Sequence, residues 1–200
     1  IFVNHVPGNP LEFLTTKNFG FSDAAEAFVL LSGVAAGLAY GARFSAETRL
    51  AATLKMWRRA GVLYITQLGT TMATLGIFAF FALHFAAPRL LEAINIGPVI
   101  DDTAASLLGI VTFGHQLGYN NILSMYAVVL LLAPLFLLLA NRFGLFAMVA
   151  ASCALWLAAG LLRLAPANYP NAGTWFLNPL SWQFLFVIGL AGTMHVRRGG

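Results

Sequence analysis

Charged residues are scarce in this chain of 200 residues, of which 9% are Asp, Glu, Lys or Arg and 60% are apolar. The sequence also lacks a zinc-ligand spacing, a phosphate-binding glycine loop, a dinucleotide fingerprint and a nucleophile elbow. Its one cysteine, Cys153, cannot form a disulfide within the chain. No internal repeat or low-complexity tract is present. The common soluble catalytic modules are therefore excluded.

The apolar residues are gathered in runs that can cross the hydrocarbon core of a bilayer, which takes about 17 to 25 residues in a helix. Charge, Pro or Gly separates each run from the next, and no run shows the apolar/polar alternation of barrel strands. We therefore predict an all-α, polytopic transmembrane helix bundle. Its full spans are expected at residues 26–42, 60–86, 120–140, 144–163 and 180–196.

The first residues, Ile1 to Val6, are apolar but too short to span, and we interpret them as the end of a truncated span. With it, the chain has about six spans in a single membrane domain of residues 1–200. Residues 88–118 form the longest stretch without a full span. We predict that this stretch is an outward loop in which residues 103–113 form a short interfacial helix.

The distribution of basic residues predicts the orientation, because Lys and Arg near span ends stay in the cytoplasm. One side collects eight basic residues and the other side three. The larger set is Arg43, Arg49, Lys55, Arg58, Arg59, Arg142, Arg197 and Arg198, and the smaller set is Lys17, Arg89 and Arg163. This division places His5, Asp23 and Glu26 on the outer side. The pI near 9.6 then reflects topology, and we expect no nucleic-acid partner.

His5 is the first candidate for chemistry, since it follows Asn4 and precedes Pro7 where the first apolar stretch ends. An imidazole at that depth can take a proton from a hydroxyl, because its ordinary pKa is about 6.5. The alternative is a structural role, in which His5 hydrogen-bonds a backbone carbonyl freed at the helix end. Spacing alone leaves both interpretations open, and it gives His84 and His115 no role beyond the interface.

Asp23 and Glu26 begin the second apolar stretch and form a second candidate pair, with Ser22 as a possible helix cap. Acidic groups stabilise a helix N-terminus electrostatically, which accounts for them without any function. The functional alternative is that one carboxylate orients His5 or binds a polar acceptor. That alternative requires the two helix ends to meet.

Arg58 and Arg59 open the third span beside Trp57 and Lys55. They are typical of a positive-inside anchor. A guanidinium group also matches phosphate bidentately, so the pair is a candidate binding site for a phosphorylated cytoplasmic molecule. Both interpretations remain open.

The run from Trp175 to Gln183 contains two Trp residues, a Pro and two amides at a predicted outer boundary. An aromatic belt explains Trp175 and Trp182, whereas Asn178 and Gln183 are polar groups entering a span and suggest a functional role. In the second span, small residues such as Gly33 and Gly37 favour close helix packing over a channel for a thin substrate arm.

Five segments of the chain form a recognisable pattern: Asn4-His5-Val6-Pro7, the residues from Phe19 to Gly33 that contain Ser22-Asp23-Ala24-Ala25-Glu26, Met125-Tyr126, Asn178-Pro179 and Trp182-Gln183. These segments resemble the OpgC family of membrane proteins, which is linked to succinylation of periplasmic glucans. The second span, whose aromatic-rich block ends in Ser32-Gly33, is also similar to that of acyltransferase-3 type membrane enzymes.

The resemblance implies an O-acyltransferase of the bacterial inner membrane that moves an acyl group from cytoplasmic acyl-CoA to a glucan hydroxyl in the periplasm. The donor it implies is succinyl-CoA. It places His5 as the catalytic base and Arg58 and Arg59 at the CoA phosphates, and it implies no metal. The groups that would orient the base or bind the acceptor are Asn4, Asp23, Glu26, Ser32, Asn178, Trp182 and Gln183.

The resemblance also implies that the chain is a fragment of a parent with about ten spans. The Arg that precedes the His in the wider group would lie upstream of Ile1. The expected partners are the lipid bilayer, acyl-CoA and a periplasmic glucan, with an oligomer as an open possibility. The alternative function is a non-enzymatic carrier or scaffold for a polar solute, in which polar groups inside the membrane line a path.

Overall fold

The computed structural model describes residues 9–15, 24–45, 47–92 and 94–199, and in these ranges the chain is α-helical. The only extended pairing among them is a single bridge between Ala167 and Thr174. Short 3-10 segments cover Pro10–Leu14 and Gly41–Arg43. The helices are α1 Ala24–Tyr40, α2 Arg49–His84, α3 Arg89–Glu92, α4 Gly97–Asp101, α5 Thr103–Val111, α6 Ile122–Phe143, α7 Leu145–Leu161 and α8 Pro179–Arg197.

The predicted spans coincide with long helices, but the predicted count of six is not confirmed. Within the described ranges, α2, α6 and α8 are long and apolar enough to cross a bilayer. α1 and α7 are apolar helices of 17 residues each, at the lower limit of a span. The truncated first span lies outside the described residues.

The start of α2 differs from the prediction, which placed a span at residues 60–86. The helix begins at Arg49 and has 36 residues. No Pro interrupts the segment from Arg49 to Arg59, and Ala, Leu, Lys, Met and Arg all favour helix. Charge marks the end of an apolar run but does not end a helix.

The stretch between α2 and α6 contains three short helices, α3, α4 and α5. α5 lies within residues 103–113, where a short helix was expected, and its place at the interface stays a prediction. The helix starts at a side-chain cap in which Ala105 N donates to Asp102 Oδ1 at 3.0 Å. The Ser106 hydroxyl, which is fully buried, donates to the Pro98 carbonyl at 2.7 Å. These bonds tie α4 to α5.

The chain divides into two compact units. The first unit comprises the described part of Ile1–Ala52 with Phe136–Cys153 and Gln183–Gly200. In it, the backbones of α1 and α8 touch, because a Cβ added at Gly33 would collide with the Phe186 carbonyl, and one at Gly189 with the Leu30 carbonyl. Close packing is therefore what the small residues of α1 provide.

The second unit comprises Thr53–Leu135 and Ala154–Trp182. Its aromatic cluster joins Tyr64 of α2, Phe113 after α5 and Trp175 before α8. The Tyr64 and Phe113 ring centroids are 5.0 Å apart, and those of Phe113 and Trp175 are 6.2 Å apart. The Tyr64 hydroxyl donates to the Val111 carbonyl at 3.0 Å. This cluster fixes two of the three loop segments that form the pocket described below.

Candidate functional site

The catalytic position predicted from the sequence falls outside the described part of the chain. Asn4, His5 and Asp23 all lie there. Glu26 is described, in the first turn of α1, and is half-buried. Whether these groups meet stays a prediction.

The Ser32 hydroxyl and the Asn178 amide form hydrogen bonds within the protein. The Ser32 hydroxyl donates to the Phe28 carbonyl one turn earlier at 2.7 Å. Asn178 caps α8, since its Oδ1 accepts from Leu180 N at 3.0 Å and its Nδ2 donates to the Leu164 carbonyl at 2.7 Å. Trp182, in the first turn of α8, is half-buried.

Gln183 forms a buried polar pair with Ser152 inside the first unit. Both side chains are fully buried. The Ser152 hydroxyl donates to Gln183 Oε1 at 2.5 Å, and Gln183 Nε2 donates to the Ser152 carbonyl at 2.9 Å. The two bonds link α7 to α8, which gives this amide a helix-packing role.

Arg58 and Arg59 are exposed on α2. They lie about three turns after the start of the helix. Whether they mark the opening of a span stays a prediction. Their exposure leaves both guanidinium groups accessible to a phosphorylated ligand.

The structure brings together a polar pocket that the sequence analysis did not predict, here called the amide pocket. Its volume is about 520 Å³, within the usual range for small-ligand sites. It belongs to the second unit and is formed by three loop segments. The lining residues are Glu92, Asn95, Gly97, Pro98, Gly114, Gln116, Gly118, Asn121, Asn168, Asn171, Ala172 and Phe176.

Two glycines allow the loop before α8 to approach α5. A Cβ at Gly109 would collide with the Tyr169 carbonyl, and one at Gly114 would lie 2.9 Å from the same oxygen. That loop is closed by its own bonds: Asn168 N donates to the Gly173 carbonyl at 3.0 Å, and Asn168 Nδ2 donates to the Thr174 carbonyl at 2.8 Å. The pocket wall is therefore held by backbone contacts.

His115 supports the wall from behind. It lies between α5 and α6 and is only 3% exposed. Its Nδ1 is 2.8 Å from Asn171 Nδ2. Burial lowers the pKa of His115 below its usual 6.5, and a hydrogen bond with the Asn95 backbone offsets part of that effect. The neutral imidazole is thus favoured, and it holds one of the pocket amides in place.

A polar network in α2 supports the loop between Gly118 and Asn121. Gln67 and Thr71 are 3% and 2% exposed. Gln67 Nε2 donates to the Asn120 carbonyl at 2.6 Å, and Asn120 Nδ2 donates to the Thr71 hydroxyl at 3.3 Å. The network anchors the segment that carries Asn121 into the pocket.

A comparison with protein families identifies the chain. The family model for the OpgC protein matches residues 1–200. The chain belongs to the OpgC family. No match was found among curated proteins or among solved structures. OpgC membership suggests a membrane acyltransferase that modifies a glucan.

The lining of the amide pocket has the hydrogen-bonding chemistry that a sugar needs. Five lining residues carry side-chain amides, which both donate and accept hydrogen bonds, as sugar hydroxyls do. Glu92 is the lining residue that carries a charge. Phe176, which is 77% exposed, adds an apolar face at the pocket. The arrangement can bind a neutral polyhydroxylated ligand in this OpgC-family chain.

Sequence reasoning missed this pocket because its residues come from three loops that are far apart in the chain. One signal was available: in an otherwise apolar chain, the side-chain amides are concentrated between the predicted spans. Asn95, Gln116, Asn168 and Asn171 lie in such segments, and Asn121 is the second residue of the span predicted at 120–140. Their meeting in one place depends on long-range packing.

Proposed function

We propose that this OpgC-family chain takes part in transferring a succinyl-like group from cytoplasmic acyl-CoA to a hydroxyl of a periplasmic glucan, in a bacterial inner membrane. The amide pocket is the observation that supports the acceptor half of this reaction. The match to the OpgC family over residues 1–200 supports the acyl-transfer half.

In this proposal the amide pocket holds the glucan. Each sugar hydroxyl is both a donor and an acceptor, and removing it from water costs binding free energy unless the protein satisfies both roles. Asn121 can meet such a need, because it lines the pocket and is itself only 7% exposed to solvent. Ring faces of sugars are apolar, and exposed Phe176 offers a surface against which one can pack.

His5 is the proposed general base. It takes the proton of a glucan hydroxyl as that oxygen attacks the thioester carbonyl; the C–O bond forms, the C–S bond breaks, and the CoA thiolate leaves and is protonated. The products are a glucan ester and free CoA. A positioned base of this kind contributes roughly 10²–10⁴ in rate.

The remaining predicted residues have supporting roles in the proposal. Asp23 or Glu26 would orient His5 or contact the acceptor. Arg58 and Arg59 would hold phosphates of the donor, since their side chains are exposed. The direction of transfer follows the predicted orientation, with eight basic residues on the cytoplasmic side.

The experiment that tests the proposal measures transfer of labelled succinyl from succinyl-CoA to purified glucan in membranes that contain the protein. Glu92→Gln and Asn121→Ala should raise the KM for glucan several-fold and leave the KM for succinyl-CoA unchanged. Asp101→Asn removes one exposed carboxylate outside the pocket lining and is the matched control.

Two outcomes would overturn the proposal. If the wild-type protein neither transfers succinyl nor consumes the thioester, the acyl-transfer assignment is wrong; flux of a polar solute without thioester consumption would then favour the carrier alternative. If the wild type transfers succinyl and both pocket variants keep the wild-type KM for glucan, the amide pocket is not the acceptor site.

A further inference from the structure

A second pocket, in the first unit, is lined by three arginines and is here called the basic pocket. Its volume is about 540 Å³. Arg49 comes from the start of α2, Arg142 from the last turn of α6, and Arg198 directly follows α8. Among the residues that the structure describes, no carboxylate lines it. Three positive charges therefore line one cavity whose described wall carries no opposite charge.

The wall of the basic pocket is built by Asn141, which also lines it. Asn141 Nδ2 donates to the Phe44 carbonyl, and Asn141 Oδ1 accepts from Arg198 Nη2 at 3.3 Å. In the turn before α2, the hydroxyls of Ser45 and Thr48 are 2.8 Å apart, and Arg49 N donates to the Ser45 carbonyl at 2.9 Å. These bonds hold the backbone of Arg49 and the side chain of Arg198 in place at the pocket.

Helix electrostatics accounts for two of the three arginines but not for the third. A cation in the last turn of a helix is stabilised by the macrodipole, which fits Arg142 and Arg198. Arg49 is in the first turn of α2, where the same dipole disfavours a cation. Helix electrostatics therefore does not explain Arg49, whereas an anion bound in the pocket would stabilise its charge.

We propose that the basic pocket binds phosphate, and that the phosphate is carried by the CoA donor of the reaction proposed above, on which this inference rests. Guanidinium groups bind phosphate oxygens through paired, charge-assisted hydrogen bonds. The basic-residue distribution puts Arg49, Arg142 and Arg198 on the cytoplasmic side, where CoA is. An anionic lipid headgroup carries the same chemistry and is the alternative source.

The test measures binding of CoA and of 3′-dephospho-CoA to the full chain in detergent by isothermal titration calorimetry. For the double variant Arg49→Gln/Arg198→Gln, the Kd for CoA should rise about tenfold or more, as expected for losing charge-assisted bonds. Arg163→Gln removes one exposed arginine outside the pocket lining and should leave the Kd unchanged. Arg49→Lys/Arg198→Lys keeps the charge and should give an intermediate Kd.

The outcomes separate this inference from the proposed function. Unchanged CoA affinity in the double variant, with loss of phosphatidylglycerol seen by native mass spectrometry, would overturn the CoA assignment in favour of a lipid headgroup. Loss of neither ligand would overturn the phosphate site. Should the double variant fail to fold, equal wild-type affinities for CoA and 3′-dephospho-CoA and no weakening by salt would also overturn it. If wild-type membranes consume no thioester, only the proposed function fails.

Discussion

Asn171 holds the ring of His115 through a contact of 2.8 Å between its Nδ2 and the imidazole Nδ1. With Asn171 Nδ2 as the donor, Nδ1 accepts and the proton of the neutral ring is assigned to Nε2. Protonation of Nδ1 removes the acceptor and places two N–H groups face to face. The relationship makes the wall of the amide pocket sensitive to acid.

The first prediction follows from this contact. Because the folded-state pKa of His115 lies below 6.5, the unfolded chain binds the proton more readily. The stability that neutral His115 contributes is fully present above pH 6.5 and is lost as the pH falls from 6.5 through the lowered pKa. Unfolding measured between pH 8 and 5 should show this loss, and His115→Gln should flatten the dependence. An identical pH profile in His115→Gln would contradict the prediction.

The second prediction concerns the contact between α1 and α8. Gly33→Ala and Gly189→Ala should each lower the free energy of unfolding by about 1–3 kcal/mol, because the new methyl group meets a backbone carbonyl. Gly192→Ala is the control on α8, since a Cβ there meets nothing within 4 Å. Denaturant unfolding in micelles measures all three. Equal stabilities would show that the two helices separate readily.

The third prediction assigns Gln183 to packing. Ser152→Ala removes a hydroxyl that donates to Gln183 and should cost about 0.5–2 kcal/mol of stability. The KM for glucan should not change. Cys153→Ala alters the neighbouring residue of α7 and is the control. A raised KM with wild-type stability would instead place Gln183 at the acceptor.

The fourth prediction tests the arginines on α2. Arg58→Gln/Arg59→Gln should raise the KM for acyl-CoA if these exposed side chains hold donor phosphate. An unchanged KM would remove them from the donor site and leave the positive-inside anchor as their role. Protein levels in the membrane provide the control, because a loss of anchoring lowers them.

The fifth prediction concerns the proposed base. His5→Ala should reduce succinyl transfer by roughly 10²–10⁴ at matched expression. His84→Ala, another histidine predicted near the interface, is the control and should keep full activity. Full transfer by the His5 variant would remove the base assignment while leaving the acyltransferase proposal intact.

Much of the helical framework could be predicted, because the bilayer selects long apolar runs that are visible in the sequence. The predicted runs at 120–140 and 180–196 correspond to α6 and α8. The start of α2 was missed because a helix can continue beyond the hydrocarbon core, and the residues around Lys55 and Arg58 favour helix.

The candidate sites were less predictable, since both pockets join segments that are remote in sequence. Glu92 and Asn171 line one pocket only when the loops pack, and no periodicity encodes that arrangement. The signal for the basic pocket was the number of basic residues on the predicted cytoplasmic side. That number does not say that Arg49 and Arg198 share one cavity. His5 was found through local pattern alone, and its partners stay predictions.

The length of α2 has a practical consequence. Its 36 residues extend roughly 54 Å, more than the hydrocarbon thickness of about 30 Å. Because the predicted span begins near residue 60, we expect the early turns of α2, with exposed Lys55, to stand in water on the cytoplasmic side. The chain has one other lysine, Lys17, which the basic-residue distribution assigns to the opposite side. An impermeant amine reagent applied to sealed vesicles of either orientation thus reads the sidedness of the chain directly, with no engineered tag.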